Sequence, residues 1–235
     1  MDIETNEHLI KRNTRIAQIA SLSGLAVLAG GMIIAFTRAE LITFSFLALL
    51  VGFVLSQIGI YFTNRWGKKP RPDELLNQAL KGLDSKYALY HYLTPASHLL
   101  IGPSGVWVLL LRTQRGTITY SKGRWRQKGG GLLQGYLRIF AQEGLGRPDL
   151  EIANEVESIH KYLEKHLPDS EIPPIDAAVV FTHPNADIQI EESDNPLAPT
   201  LYLSKVKNFL RKAAKGKPIS MDKVREIQQV IRDTL

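Results

Sequence analysis

Two long uncharged apolar runs, separated by only four residues, constrain this chain more than any other feature. Residues 16–36 form a run of 21 without a charged side chain, and residues 41–62 form another of 22. At ~1.5 Å of rise per helical residue, either run reaches across a hydrocarbon core of about 30 Å. A cleaved signal peptide would explain one N-terminal run. It gives no reason for a second one just beyond Thr37, Arg38, Ala39 and Glu40. Neither run carries the polar stripe of a helix half-buried in a soluble core. The pair predicts a transmembrane helical hairpin over residues 16–62, with the lipid bilayer as its partner.

Basic flanks orient the hairpin. Lys11, Arg12 and Arg15 precede the first run, Arg65, Lys68, Lys69 and Arg71 follow the second, and the loop between them offers only Arg38. The positive-inside rule then predicts a multi-pass membrane protein with the N-terminal segment 1–15 and the C-terminus both cytoplasmic. Small residues four apart, Ala20 and Gly24 on one helix and Ala48, Gly52 and Ser56 on the other, would let the two backbones approach. Gln57 is the one strongly polar side chain deep in either run. Two spans with no intramembrane ionisable group do not make a transport pathway.

Composition matters once it is located. Residues 1–63 hold four basic and four acidic side chains, so the net charge of +6 lies entirely in residues 64–235. The chain has no cysteine, which excludes disulfides, cysteine-held metals and thiol nucleophiles. Residues 63–72, with Gly67, Pro70 and Pro72, read as a linker. Asp73 and Glu74 then open a helix to about residue 81, with Leu75, Leu76, Ala79, Leu80 and Leu83 on its apolar side. Strands are predicted at 98–101 and 106–112 around Gly102-Pro103-Ser104-Gly105, and at 117–120 and 124–127 around Ser121-Lys122-Gly123. Gly129-Gly130-Gly131 breaks regular structure. Residues 149–167 form an amphipathic helix with Ile152, Val156, Ile159 and Leu163 on one face. Strands at 177–182 and 186–190 and helices at 205–214 and 221–234 complete the chain, the last helix capped by Ser220. This order predicts one cytoplasmic α/β domain over 73–235, with 98–101, 106–112, 117–120 and 177–182 in a central mixed sheet.

The stretch HLLIGPSGVWVLLLRTQRGTI, the helix before it and the unit IANEVESIHKYLEKHL…IDAAVVFTH after it carry a family resemblance. Together they resemble the nuclease-related domain, NERD, over roughly residues 73–190. The most specific part is I-G-P-x-G-V-W-V followed by R-G. The resemblance implies a restriction-endonuclease-like fold. It also implies a site with an Asp before the first of these strands, Glu-x-Lys near the end of the second, and an acid on the preceding helix. Two such carboxylates would hold Mg²⁺ and the Lys would orient the attacking water. Carried over position by position, the Asp falls on Ser97, beside His98. The Glu falls on Leu110, the Lys on Arg112 and the helix acid on Glu74. The strand positions all depart from the pattern.

A count without the family agrees. The 58 residues between Asp84 and Glu143 contain no Asp or Glu, and Mg²⁺ requires hard oxygen ligands. The expectation is a pseudo-nuclease with no cofactor. An active nuclease would need Mg²⁺ and a site relocated to residues such as Glu74, Glu143 or Asp149. The six histidines (His8, His91, His98, His160, His166 and His183) show no ligand spacing, and Ser104 sits in a turn rather than a nucleophile elbow. No G-x-x-x-x-G-K loop is present.

The acid-free window is also basic. It holds Lys86, Arg112, Arg115, Lys122, Arg124, Arg126, Lys128 and Arg138, interleaved with Trp107, Tyr120, Trp125 and Tyr136. Arg112, Arg115, Lys122, Arg124, Arg126 and Lys128 are the candidate anion-binding residues. A second cluster comprises Lys205, Lys207, Arg211, Lys212, Lys215 and Lys217. Such sets suit a nucleic-acid backbone, with aromatics for stacking, or an anionic membrane surface. A solvated positive surface with no ligand is the bland alternative. The sequence therefore predicts a membrane-anchored, catalytically inactive NERD-like module that binds or scaffolds at the cytoplasmic membrane face. A relocated nuclease site and a lipid- or protein-binding adaptor stay open beside it.

Overall fold

A computed structural model describes residues 1–128, 144–168, 170–191, 194–216 and 218–234. The chain divides into two units. One is a helical hairpin over residues 7–71. The other is an α/β unit built from residues 1–6 and the described residues from Pro72 onward. The predicted Gly129-Gly130-Gly131 break, Tyr136, Arg138, Glu143 and Lys217 lie outside the described residues.

The hairpin consists of α1 (Glu7–Thr37) and α2 (Ile42–Phe62). Both are long and apolar enough to cross a membrane. Their side-chain distribution is the reverse of a soluble bundle. Leu22, Phe36, Phe44, Phe46 and Leu50 are well exposed, whereas Ala17, Gly24 and Gly31 of α1 and Ser45, Gly52 and Gly59 of α2 are buried. Each buried set recurs every seven residues, the period that keeps one seam facing a partner when helices coil left-handedly. The glycines are needed for the close approach. A Cβ on Gly52 would lie 2.9 Å from the Leu28 amide nitrogen and 3.0 Å from the Gly24 carbonyl oxygen. Ser45 Oγ donates to the Gly31 carbonyl at 2.5 Å, satisfying its hydroxyl inside the seam.

The α/β unit has a six-stranded mixed sheet in the order β1 (Asp2–Thr5), β2 (Ala88–His91), β3 (His98–Gly102), β4 (Gly105–Arg112), β7 (Ile175–Phe181), β9 (Thr200–Tyr202). A second sheet has the order β6 (Arg124–Lys128), β5 (Gly116–Ser121), β8 (Ala186–Ile190). The strand expected at 117–120 in the central sheet belongs to this second one. The reason is a shared corner. Segments β4 and β7 pair in parallel, and their continuations β5 and β8 pair in parallel again. Thr182 N–H donates to the Arg112 carbonyl at 2.8 Å before the corner, and Gly116 N–H donates to the Asn185 carbonyl at 3.0 Å after it. Gly116 turns the chain there with φ of +86°.

Side-chain alternation splits the main sheet between two cores. Leu99, Ile101, Val106 and Val108 face α4 (Pro148–His166) and α6 (Met221–Asp233), meeting Ile159, Leu163, Val224, Ile227 and Ile231. Leu89, Leu100, Trp107 and Leu109 face α3 (Pro72–Leu80) and α5 (Leu203–Gly216), meeting Leu76, Leu80, Val206 and Leu210. The stripe predicted on α4 is turned inward, with Ile152, Ile159 and Leu163 buried and Val156 half-buried. Ser220 caps α6 by accepting from the Lys223 amide at 3.3 Å.

Strand β1 was not anticipated. It pairs in parallel with β2, Asp2 opposite Ala88 and Thr5 opposite His91. Arg232 on α6 fastens it, 3.1 Å from Asp2 and 3.4 Å from Glu4. Behind it, burial pushes the Tyr90 hydroxyl up to about 12, with the Glu4 charge adding and Arg232 opposing.

Two outcomes follow from this packing. Gly52→Ala should weaken the detergent-solubilised hairpin by roughly 1–3 kcal/mol through overpacking, read as a lowered thermal midpoint. Gly30→Ala, where a Cβ meets nothing within 4 Å, should leave the midpoint unchanged. Arg232→Met should speed amide hydrogen exchange at residues 3–5 several-fold while leaving β3 and β4 protected, because it removes half-exposed ion pairs worth about 0.2–1 kcal/mol each.

Candidate functional site

The strand positions singled out in the sequence meet on one face of the main sheet. Alternation along β4 puts Leu110 and Arg112 on the side of α4. Leu110 is 5% exposed and packs among Ile118, Ile152, Val179 and Phe181. Arg112, the last residue of β4, places its guanidinium 2.6 Å from Glu151 Oε1 on α4. Its side chain is 13% exposed, and its Nε is buried without a hydrogen-bond partner among the described residues. Ser97, one residue before β3, donates from Oγ to Glu155 Oε1 at 3.0 Å. Glu151 and Glu155 lie one helical turn apart, so α4 supplies the acids that the strands lack.

Glu74 is not part of this arrangement. It sits on α3, whose Leu76 and Leu80 cover the opposite face of the sheet. The position-by-position carry-over therefore groups residues that the sheet separates. His98 also belongs to that other face. It is buried with its Nδ1 2.7 Å from His91 Nδ1, and His91 Nε2 lies 2.9 Å from Asn77 Oδ1 of α3. With Asn77 Oδ1 as acceptor, His91 carries its proton on Nε2 and accepts at Nδ1 from His98. This is a satisfied pair of core histidines. Among the described residues no three His, Asp or Glu side chains converge as metal ligands. Asp149 accepts the Trp125 indole N–H at 2.9 Å, which makes it a structural acceptor.

The basic window resolves into one ordered column. On β6 the side chains of Arg124, Arg126 and Lys128 are exposed, and Trp125 and Gln127 turn inward. Opposite them in register stand Ser121, Thr119 and Thr117 of β5, and beyond those Gln189 and Asp187 of β8. A shallow depression of about 260 Å³ is lined by Thr119, Ser121, Arg126, Lys128, Gln189 and Glu191. Lys122 and Gly123, with φ of 51° and 70°, form the hairpin turn. Arg115 is exposed at the corner before β5.

Of the aromatics expected to stack on bases, the three among the described residues, Trp107, Tyr120 and Trp125, turn inward. Trp107 is 6% exposed, donates to the Ser104 carbonyl at 2.9 Å and packs edge-on against Phe209. Tyr120 and Trp125 pack against each other, with ring centroids 4.9 Å apart, under the second sheet. In the second basic cluster, Lys207 Nζ and Arg211 donate to the Lys81 and Gly82 carbonyls at 2.9 and 3.0 Å, closing the C-terminal end of α3. Lys205, Lys212 and Lys215 are exposed.

Comparison with protein-family models, with curated proteins and with solved structures finds no match to this chain.

A glutamate placed at residue 110 tests how firmly the site is filled. Leu110→Glu should destabilise the α/β unit by about 3 kcal/mol or more, since a carboxylate enters an apolar cluster without a partner. Leu110→Met should cost under about 1.5 kcal/mol. Thermal unfolding of the two variants, followed by tryptophan fluorescence, separates these outcomes.

Proposed function

We propose that this chain is a membrane-anchored α/β module, similar to NERD in its strand-turn-strand motif, that binds or scaffolds at the cytoplasmic membrane face and does not cut nucleic acid. One observation carries the reading. At the positions that would hold the metal and the lysine, Ser97 is hydrogen-bonded to Glu155, Leu110 is packed into the core and Arg112 is paired with Glu151. An arginine in that place cannot lose its proton to act as a base. What it can do is hold an anion, and here it already holds Glu151.

The membrane part rests on the hairpin surface. Large apolar side chains face outward and the small residues face each other, the arrangement that lipid favours. Pairing of β1 with β2 requires that the chain leave the α/β unit at Asn6 and return to it by Pro72. An even number of crossings meets that requirement, and the basic flanks favour the cytoplasm for both ends. The exposed column of Arg124, Arg126 and Lys128, beside the hydroxyls of β5, suits an anionic partner.

A second reading has its own observation. Glu151 and Glu155 are two carboxylates one turn apart beside Arg112 and Ser97, and they would serve a relocated Mg²⁺ site. The purified full chain in detergent, incubated with Mg²⁺ or Mn²⁺ and with DNA or RNA, should leave both substrates intact. Metal-dependent cleavage that disappears in Glu155→Gln would replace the binding reading with the nuclease one. A reporter fused after residue 235 should be active in the cytoplasm, and one placed within residues 38–40 should be active only outside it.

A further inference from the structure

Charge is segregated between the two faces of the main sheet. Helix α5, on one face, carries Lys205, Lys207, Arg211, Lys212 and Lys215 and no acid. Helix α4, on the other, carries Asp149, Glu151, Glu155, Glu157 and Glu164 against Lys161 and Lys165. Lys207 and Arg211 are committed to the end of α3. Lys205, Lys212 and Lys215, with Asn208 between them, recur at the three- and four-residue intervals that share one side of a helix. All four are exposed. The acids on that face include Asp73 and Glu74, in the first turn of α3, and Asp176 of β7, in register with Trp107.

We infer that this lysine stripe of α5 docks on the anionic lipid headgroups of the membrane in which the hairpin is anchored. The inference rests on the membrane reading above. Its partner is chosen by charge and by connectivity. A bilayer presents a broad negative surface that attracts each lysine within about a Debye length. A unit with cations on one face and acids on the other is turned by such a surface so that α5 faces it and α4 faces away. Helix α3, the first element after the hairpin in the chain, packs on the same face of the sheet as α5. A polynucleotide fits this stripe less well. The stripe is one short helix without exposed aromatic rings for stacking, and the unit's other cation column stands apart from it on β6.

The chain has no cysteine, so Asn208→Cys gives a unique label on the stripe. The labelled full chain is reconstituted in nanodiscs of phosphatidylcholine alone or with phosphatidylserine, and the label's access to a water-soluble quencher is measured. Access should fall several-fold in the anionic discs and recover in high salt. Lys205→Glu, Lys212→Glu and Lys215→Glu together should abolish the fall, and Lys161→Glu with Lys165→Glu, on the exposed side of α4, should leave it intact. Equal access in both lipids would overturn the inference while leaving the anchor standing. Extraction of the chain from membranes by alkaline carbonate would overturn the membrane reading itself and this inference with it. Shielding that appears only on adding an oligonucleotide would assign the stripe to nucleic acid instead.

Discussion

The ladder between β1 and β2 governs how the rest of the chain is arranged. Four residues at the N-terminus complete the edge of a sheet whose other strands all come after residue 87. Everything between Asn6 and Pro72 is an excursion that must return to the unit it left. Close packing of α1 on α2 through Ala17, Gly24, Gly31, Ser45, Gly52 and Gly59 suits that return, because it keeps the two ends of the excursion near each other. The Arg232 ion pairs with Asp2 and Glu4 add a tie between the first strand and the last helix.

Elements with their own local pattern were legible. The two apolar helices, the stripe of α4, the Ser220 cap and the continuous apolar runs of β3, β4 and β7 state their burial residue by residue. Strands β1, β2 and β9 do not. They are three or four residues long, and β1 reads Asp-Ile-Glu-Thr, which has no apolar face of its own. Such strands exist because a neighbour offers a ladder, and that neighbour lies far along the chain. The expectation that 117–120 joins the central sheet misses for a related reason. Sheet membership depends on where two separate segments bend together, at residues 113–115 and 182–185, and neither bend is marked by more than Gly116 and Pro184.

The site was half legible on the same logic. Two-residue alternation correctly places Leu110 and Arg112 together and turns Trp125 away from Arg124 and Arg126, since parity within one strand is a local property. Which helix covers which face is not local. Nothing in the sequence says that α3 lies opposite α4, so Glu74 was grouped with residues across the sheet from it. Glu151 and Glu155 were overlooked because they fall on the charged side of an amphipathic helix, where acids are read as solvated. Their four-residue interval was visible; the strand end they face was not.

The Arg112–Glu151 pair explains why an acid-free strand region can still contain a largely withdrawn arginine. A guanidinium keeps its charge at any physiological pH, so an arginine whose side chain is only 13% exposed needs a counter-ion within reach. A carboxylate on the strands would have filled that need and also have offered a metal ligand. Supplied from α4 instead, the counter-ion arrives from the side, half exposed, and Leu110 can close the floor beneath with apolar contacts to Ile152 and Phe181. Leucine at residue 110 therefore extends the core up to the end of β4. Charge is satisfied by a helix, packing by a leucine, and the end of the strand becomes a place where α4 is held.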